Sequence, residues 1–192
     1  MSLATSVYIS TNHLTDARYC AAMGVEFIEF ILDKTIPDAI SKETFLGISQ
    51  WIEGIKYVAY FESEEGVEEI CNTLNIEHVA SNNISLLNDL PDSFTKFYKT
   101  TLDTINREEF QNIDYINIEG GSDMLSKQET ESIKKLAATK NIILAYGFDD
   151  TNVSNIITTG IKGIGIKGGE EERPGYKDMD KLADILEAIE VD

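Results

Sequence analysis

The chain has 192 residues, of which 42% are hydrophobic, with a mean hydropathy of −0.17. That is enough for one domain with a sizeable core, and no apolar run approaches the roughly 20 residues needed to cross a bilayer. Sixteen basic residues against thirty-four acidic ones give a net charge of −18, which argues against nucleic acid and anionic membrane as partners.

Residues 1–8 lack a basic stretch followed by an apolar one, so no secretory signal is expected and the chain reads as cytoplasmic. Cys20 and Cys71 fall inside helix-like patterns, where a disulfide is not expected. His13 and His78 form no metal-spaced cluster with them, and neither a metal nor any other cofactor is called for.

In chain order, apolar β-branched runs alternate with helical patterns, the sign of βα units on a parallel sheet. The runs predict strands at Val7–Ser10, Phe27–Leu32, Tyr57–Phe61, Ile76–Ala80, Phe94–Tyr98, Tyr115–Ile118, Ile142–Ala145 and Gly163–Ile166. Between them helices are predicted at Thr15–Met23, Lys42–Trp51, Glu64–Thr73, Ile84–Asn88, Thr104–Phe110, Ser126–Thr139, Thr151–Thr158 and Lys177–Ala188. Asn12 or Thr15 is placed to cap the first helix, and Gly24 to end it in the left-handed conformation. Asp149 or Asp150 is placed to cap the seventh helix, which Gly160 closes. Nothing divides the chain, so residues 1–192 read as a single domain. Right-handed crossovers between eight parallel strands close into a barrel. An open doubly wound sheet is the alternative, but no Gly-x-Gly-x-x-Gly follows the first strand. The fold class expected is α/β, a (β/α)8 TIM barrel at the small end of its range, whose site lies where the strands end.

One stretch suggests chemistry directly. Ile161 to Ile166 is an apolar strand, and Lys167, Gly168 and Gly169 follow it. Glu170, Glu171, Glu172, Arg173, Pro174 and Gly175 then lead to Tyr176-Lys177-Asp178-Met179-Asp180-Lys181-Leu182 and the last helix. Glycines let backbone N–H groups approach an anion, and a helix N-terminus adds partial positive charge. Lys167 adds a full charge. The same glycines also serve for tight βα turns, and the three glutamates fit the start of a short helix.

Over Gly160 to Leu182 the sequence resembles phosphoribosylanthranilate isomerase, including its Gly-x-Lys-Asp-x-x-Lys pattern at Gly175, Lys177, Asp178 and Lys181. The resemblance implies that Gly147, Lys167, Gly168 and Gly169 bind the phosphate of a small phosphorylated sugar-type substrate. It implies an Amadori rearrangement, an aldose-to-ketose shift on a phosphorylated ribosyl amine in tryptophan biosynthesis, with a base at carbon 2 and an acid at the ring oxygen. The family's base is a cysteine ending strand one; here that position is Ser10, with His13 three residues on. The family's acid is an aspartate closing strand six; here Asn117 and Glu119 share one strand face, and Glu119 keeps the carboxyl group. The arginine expected after strand two to grip the substrate carboxylate is absent, and Lys34 is the cation nearby. Strand four carries His78-Val79-Ala80-Ser81 in place of Gln-Leu-His-Gly. Three readings remain open: an altered isomerase using Glu119 with Ser10 or His13, a phosphosugar-binding barrel with other chemistry, and a non-catalytic paralogue with a binding or regulatory role. The sequence does not set the oligomeric state.

Overall fold

The computed structural model describes residues 2–63, 65–105, 110, 112–167, 171–173, 176–177 and 179–191. Its centre is a closed barrel of eight parallel strands, each hydrogen-bonded to the next in sequence and the last to the first. The strands are β1 (Ser6–Ser10), β2 (Phe27–Ile31), β3 (Lys56–Tyr60), β4 (His78–Ser81), β5 (Thr95–Thr101), β6 (Tyr115–Glu119), β7 (Ile142–Leu144) and β8 (Gly163–Lys167). The helices after them are α1 (Leu14–Ala22), α2 (Lys42–Ser49), α3 (Val67–Leu74), α4 (Ile84–Asp89), α5 (Leu102–Ile105), α6 (Lys127–Ala137), α7 (Val153–Ile157) and α8 (Asp180–Ala188). Ser2–Leu3 pairs antiparallel with Glu190–Val191, tying the two ends of the chain together. No described helix is long and apolar enough to cross a membrane.

Alternation along each strand separates two apolar layers. Outward residues such as Val7, Ile9, Ile28, Phe30, Ile116 and Ile118 pack with helix residues Cys20, Phe45, Cys71, Leu87, Ile133 and Leu186 in one large cluster. Inward residues Tyr8, Phe27, Val58, Ala80, Phe97 and Ile143 fill the barrel. Phe97 and Tyr115 stack with centroids 4.5 Å apart and rings 6° from parallel, and Phe27 meets Phe97 edge-on at 5.1 Å. This aromatic plug fills the barrel interior, so the structure is a packed core and not a pore. β8 contributes no side chain at two of its inward positions. A Cβ on Gly165 would lie 2.8 Å from the Cβ of Ala145, and one on Gly163 would lie 2.5 Å from the carbonyl oxygen of Ser6.

The boundaries differ from expectation at places with local causes. Gly24 (φ 77°) and Gly160 (φ 88°) end their helices in the left-handed region as expected. Asn12 does not cap α1, whose N-cap is His13 without a side-chain bond. Instead the Asn12 amide donates to the Asp38 carbonyl at 2.6 Å and accepts from the Ile31 N–H at 3.2 Å, fastening the β1 loop to the β2 loop. α6 opens with a capping box between Ser126 and Glu129. Asp149 accepts from the N–H groups of Thr151 and Asn152 just before α7. The largest revision is near the C-terminus. Glu171–Arg173 is a strand and pairs antiparallel with Tyr176–Lys177, so Glu171 and Glu172 do not start a helix, and the last helix begins at Asp180 instead of Lys177; Glu170 lies outside the described residues. Asp178, expected at a helix start, lies outside the described residues. Strand pairing of that segment satisfies backbone groups that helix-start chemistry would have left to caps.

Candidate functional site

The principal cavity opens where the strands end, as barrel geometry requires. Its volume is about 1100 Å³, and its walls include Ser10, His13, Glu29, Tyr60, Lys99, Glu119 and Lys167.

Its chemistry is organised around Lys99. β5 runs three residues beyond its predicted end, to Thr101, and this extension carries Lys99 onto the same inward face as Phe97. The Lys99 ammonium lies 3.0 Å and 3.3 Å from the two carboxylate oxygens of Glu29 on β2. It is 3.1 Å from Glu119 on β6 and 4.7 Å from the centroid of the Tyr60 ring. The Glu29 side chain is only 1% exposed, that of Lys99 12% and that of Glu119 37%. Glu29 is therefore the buried anchor and Glu119 the solvent-facing member. Tyr8, from inside the barrel, donates its hydroxyl proton to Glu29 at 2.5 Å. An isolated buried carboxylate carries a desolvation penalty of several kcal/mol. Here one ammonium and one phenol offset it. Burial works to lower the proton affinity of Lys99, but the charges of Glu29 and Glu119 outweigh it and hold the ammonium above its ordinary range. Burial, then the charge of Glu29, pushes the Tyr8 phenol well up, so it stays a donor.

The rim is built by two further carboxylates. Tyr60 donates to Glu62 at 2.7 Å; burial first, then that bond, raises the Tyr60 phenol. Asp33 is 3% exposed and ties the loop after β2 to the loop after β3. One of its oxygens accepts from the Thr35 N–H and hydroxyl at 2.9 and 2.7 Å. The other accepts from the N–H groups of Glu62 and Ser63 at 2.9 and 2.7 Å. Burial favours the protonated acid, but these hydrogen bonds prevail and hold Asp33 well below the usual carboxylate range.

The residues singled out from sequence distribute as follows. Ser10, His13, Glu119 and Lys167 share the principal cavity. Ser10 is in register with Lys167 on one side and Glu29 on the other. No hydrogen bond joins the Ser10 hydroxyl to the His13 ring among the described residues. Glu119 lines the cavity, whereas Asn117, its neighbour on the same strand face, is 2% exposed and lies a layer deeper. Lys34 is exposed and is not on the cavity wall. Gly147 lies in a second cavity of about 610 Å³, with Gly120, Tyr146, Asp149 and Lys181. Its φ of 78° requires glycine, and a Cβ there would also meet the Leu125 side chain at 2.7 Å. Gly168 and Gly169 lie outside the described residues. His78 sits in the aromatic floor, edge-on to Phe27 at 5.7 Å.

Glu29, Lys99 and Tyr60 were not anticipated. The signal for Glu29 was present: it is the one charge inside the run Phe27-Ile28-Glu29-Phe30-Ile31, and such a charge persists only when paired. Lys99 lay just past the predicted end of its strand. Among the described residues, no group of three or more His, Cys, Asp or Glu side chains is placed to hold a metal ion.

Residues 101–188 match the family model of N-(5'-phosphoribosyl)anthranilate isomerase. Among solved structures, the Thermotoga maritima phosphoribosyl anthranilate isomerase superposes with a TM-score of 0.75 at 18% identity, over 96% of this chain and 98% of its own. The Thermus thermophilus enzyme gives 0.73 at 18% identity, over 95% and 97%. A phosphoribosyl anthranilate isomerase in complex with reduced 1-(o-carboxyphenylamino)-1-deoxyribulose 5-phosphate gives 0.71 at 18%, over 96% and 98%. At such identities the structural likeness speaks for the fold. No curated protein matches the chain by sequence.

Proposed function

We infer that this chain, a member of the phosphoribosylanthranilate isomerase family through residues 101–188, converts a phosphorylated ribosyl amine from aldose to ketose in tryptophan biosynthesis. The observation that carries this reading is Glu119. It ends β6 on the wall of the principal cavity, within the family-matching segment, with an ammonium 3.1 Å away. A carboxylate at that place serves proton transfer to and from the sugar. Lys167 on the same wall supplies positive charge for a phosphate. The ligand in complex with one structural relative, a deoxyribulose 5-phosphate derivative, supports a phosphorylated sugar as the substrate class. Ser10 and His13 face the same space.

A second reading has its own observation. Lys34 stands outside the cavity, while Asp38 and Glu62 lie on its wall. That arrangement favours a ribosyl amine whose nitrogen substituent bears no carboxylate, because an aryl carboxylate would meet like charge.

Growth rescue tests the main reading. Expression in a tryptophan auxotroph lacking the isomerase restores growth on minimal medium if the reading holds. Soluble protein without rescue removes it and leaves the second.

A further inference from the structure

The reaction proposed above needs a base and an acid; Glu119, at the place where the resemblance implied an acid, is taken here as the base, which leaves the acid to be assigned. We propose that Lys99 is that acid: it contacts the sugar and gives its proton to the ring oxygen, with Glu29 and Tyr8 as the residues that position it. The inference rests on the isomerase reading and deepens it.

Three observations favour Lys99 over Ser10 and His13. First, it stands beside Glu119, with 3.1 Å between ammonium and carboxylate, so both reach one small substrate in the cavity they share. Ser10 and His13 are not joined by a hydrogen bond that would activate the serine. Second, Lys99 lines the cavity itself, with its ammonium 4.7 Å from the centroid of the Tyr60 ring that also walls it, so it borders the space a sugar fills. Third, its position is fixed from below. Tyr8 donates to Glu29 and Glu29 holds the ammonium, a chain running from the barrel interior to the site. A lysine held this way has lost its side-chain freedom before substrate arrives, the preorganisation a transition state rewards.

The steps balance. The Lys99 ammonium passes a proton to the ring oxygen as the bond from that oxygen to carbon 1 breaks, and the nitrogen lone pair closes the C1=N iminium. The Glu119 carboxylate removes the proton from carbon 2. The electrons of that C–H bond form C1=C2, and the iminium electrons return to nitrogen. The Glu119 acid then protonates carbon 1, while the neutral Lys99 amine takes the proton from the carbon 2 hydroxyl, whose electrons form the ketone. Both side chains end as they began, and no outside oxidant or reductant enters.

Arginine separates proton transfer from charge, since a guanidinium keeps the charge but does not release a proton. Turnover of N-(5'-phosphoribosyl)anthranilate is measured for the wild type, Lys99→Arg and Lys99→Met, with folding checked by circular dichroism. The expected result is a loss in kcat of about 10²–10⁴-fold in both variants, with KM in Lys99→Arg within about threefold of the wild type. Glu29→Gln supplies a readout independent of the lysine substitution. Replacing the buried anion by an amide moves the alkaline limb of its kcat profile to lower pH, a shift that a merely structural role would not produce. A folded wild type without turnover overturns the isomerase reading and this inference with it. An active wild type with Lys99→Arg at full kcat, or Glu29→Gln with an unmoved alkaline limb, overturns this inference alone.

Discussion

Glu29 on β2 and Glu119 on β6 lie across the barrel mouth from each other and share one ammonium, that of Lys99, at 3.0 Å and 3.1 Å. The pairing is unequal. Glu29 is 1% exposed and lines the cavity without reaching bulk solvent, whereas Glu119 reaches solvent. Removing the shared cation therefore strands one buried charge and merely loosens the other.

Stability of Lys99→Met follows from that asymmetry. Breaking a buried pair costs about 3 kcal/mol near neutral pH, and urea unfolding reads the loss. In the wild type the sign is that of a raised base. The contribution of Lys99 is fully present below its ordinary value of 10.5 and is lost as pH climbs through its raised folded value. A Lys99→Met protein as stable as the wild type at pH 7 would show that the buried Lys99–Glu29 pair contributes nothing to the fold.

Asp33 sets the acid limb. Its carboxyl is held low by four hydrogen bonds, so the stability it contributes is present above its ordinary value of 3.8 and is lost as pH falls below it. Asp33→Asn removes about 2–3 kcal/mol at pH 7. The gap to the wild type narrows as pH falls below 3.8, because the unfolded carboxyl takes up its proton before the folded one does. Chemical unfolding at pH 7 and pH 3 measures the narrowing.

The barrel itself was legible because period-2 apolar runs and glycine-terminated helices are local signals: Gly24 and Gly160 announce their turns, and the eight runs announce the strands. Of the cavity wall, Ser10, Glu119 and Lys167 were legible as strand ends and His13 as a residue of the loop that follows one. Glu29 and Lys99 become partners through closure of the sheet, which joins positions 70 residues apart, and no local pattern encodes that meeting. The segment Glu171–Arg173 was misread because acids beside glycines suit a helix start, whereas its pairing with Tyr176–Lys177 is a hairpin property. Gly147 was assigned to a phosphate loop through the family resemblance; it lines the second cavity, while its expected partners Gly168 and Gly169 lie outside the described residues.

Close packing of β8 on β1 predicts a contrast between two glycines. A Cβ at Gly163 would fall 2.5 Å from the Ser6 carbonyl oxygen, a backbone atom that cannot swing aside, whereas one at Gly121 meets nothing within 4 Å. Gly163→Ala costs about 3 kcal/mol, a drop in Tm of about 6–12 °C for a domain of this size. Gly121→Ala leaves Tm within about 2 °C. Thermal unfolding of the two variants side by side checks this, and equal Tm values would show that the β8–β1 contact yields.

The cysteines are expected to be inert. Cys20 and Cys71 are both 0% exposed. Burial, with the charge of Asp16 adding to it at Cys20, pushes both thiols up to about 12. At pH 8 a thiol reagent such as Ellman's therefore labels neither in the native protein and both after denaturation. Fast labelling of the folded chain would place a thiol at the surface and contradict the packing described for α1 or α3.

The most direct measurement is the rate at which purified protein converts N-(5'-phosphoribosyl)anthranilate to its ketose, compared with Glu119→Gln. The account predicts turnover by the wild type and a loss of about 10²–10⁴-fold in the variant, with the fold intact. A folded wild type without turnover, or a variant that matches the wild-type rate, would contradict it.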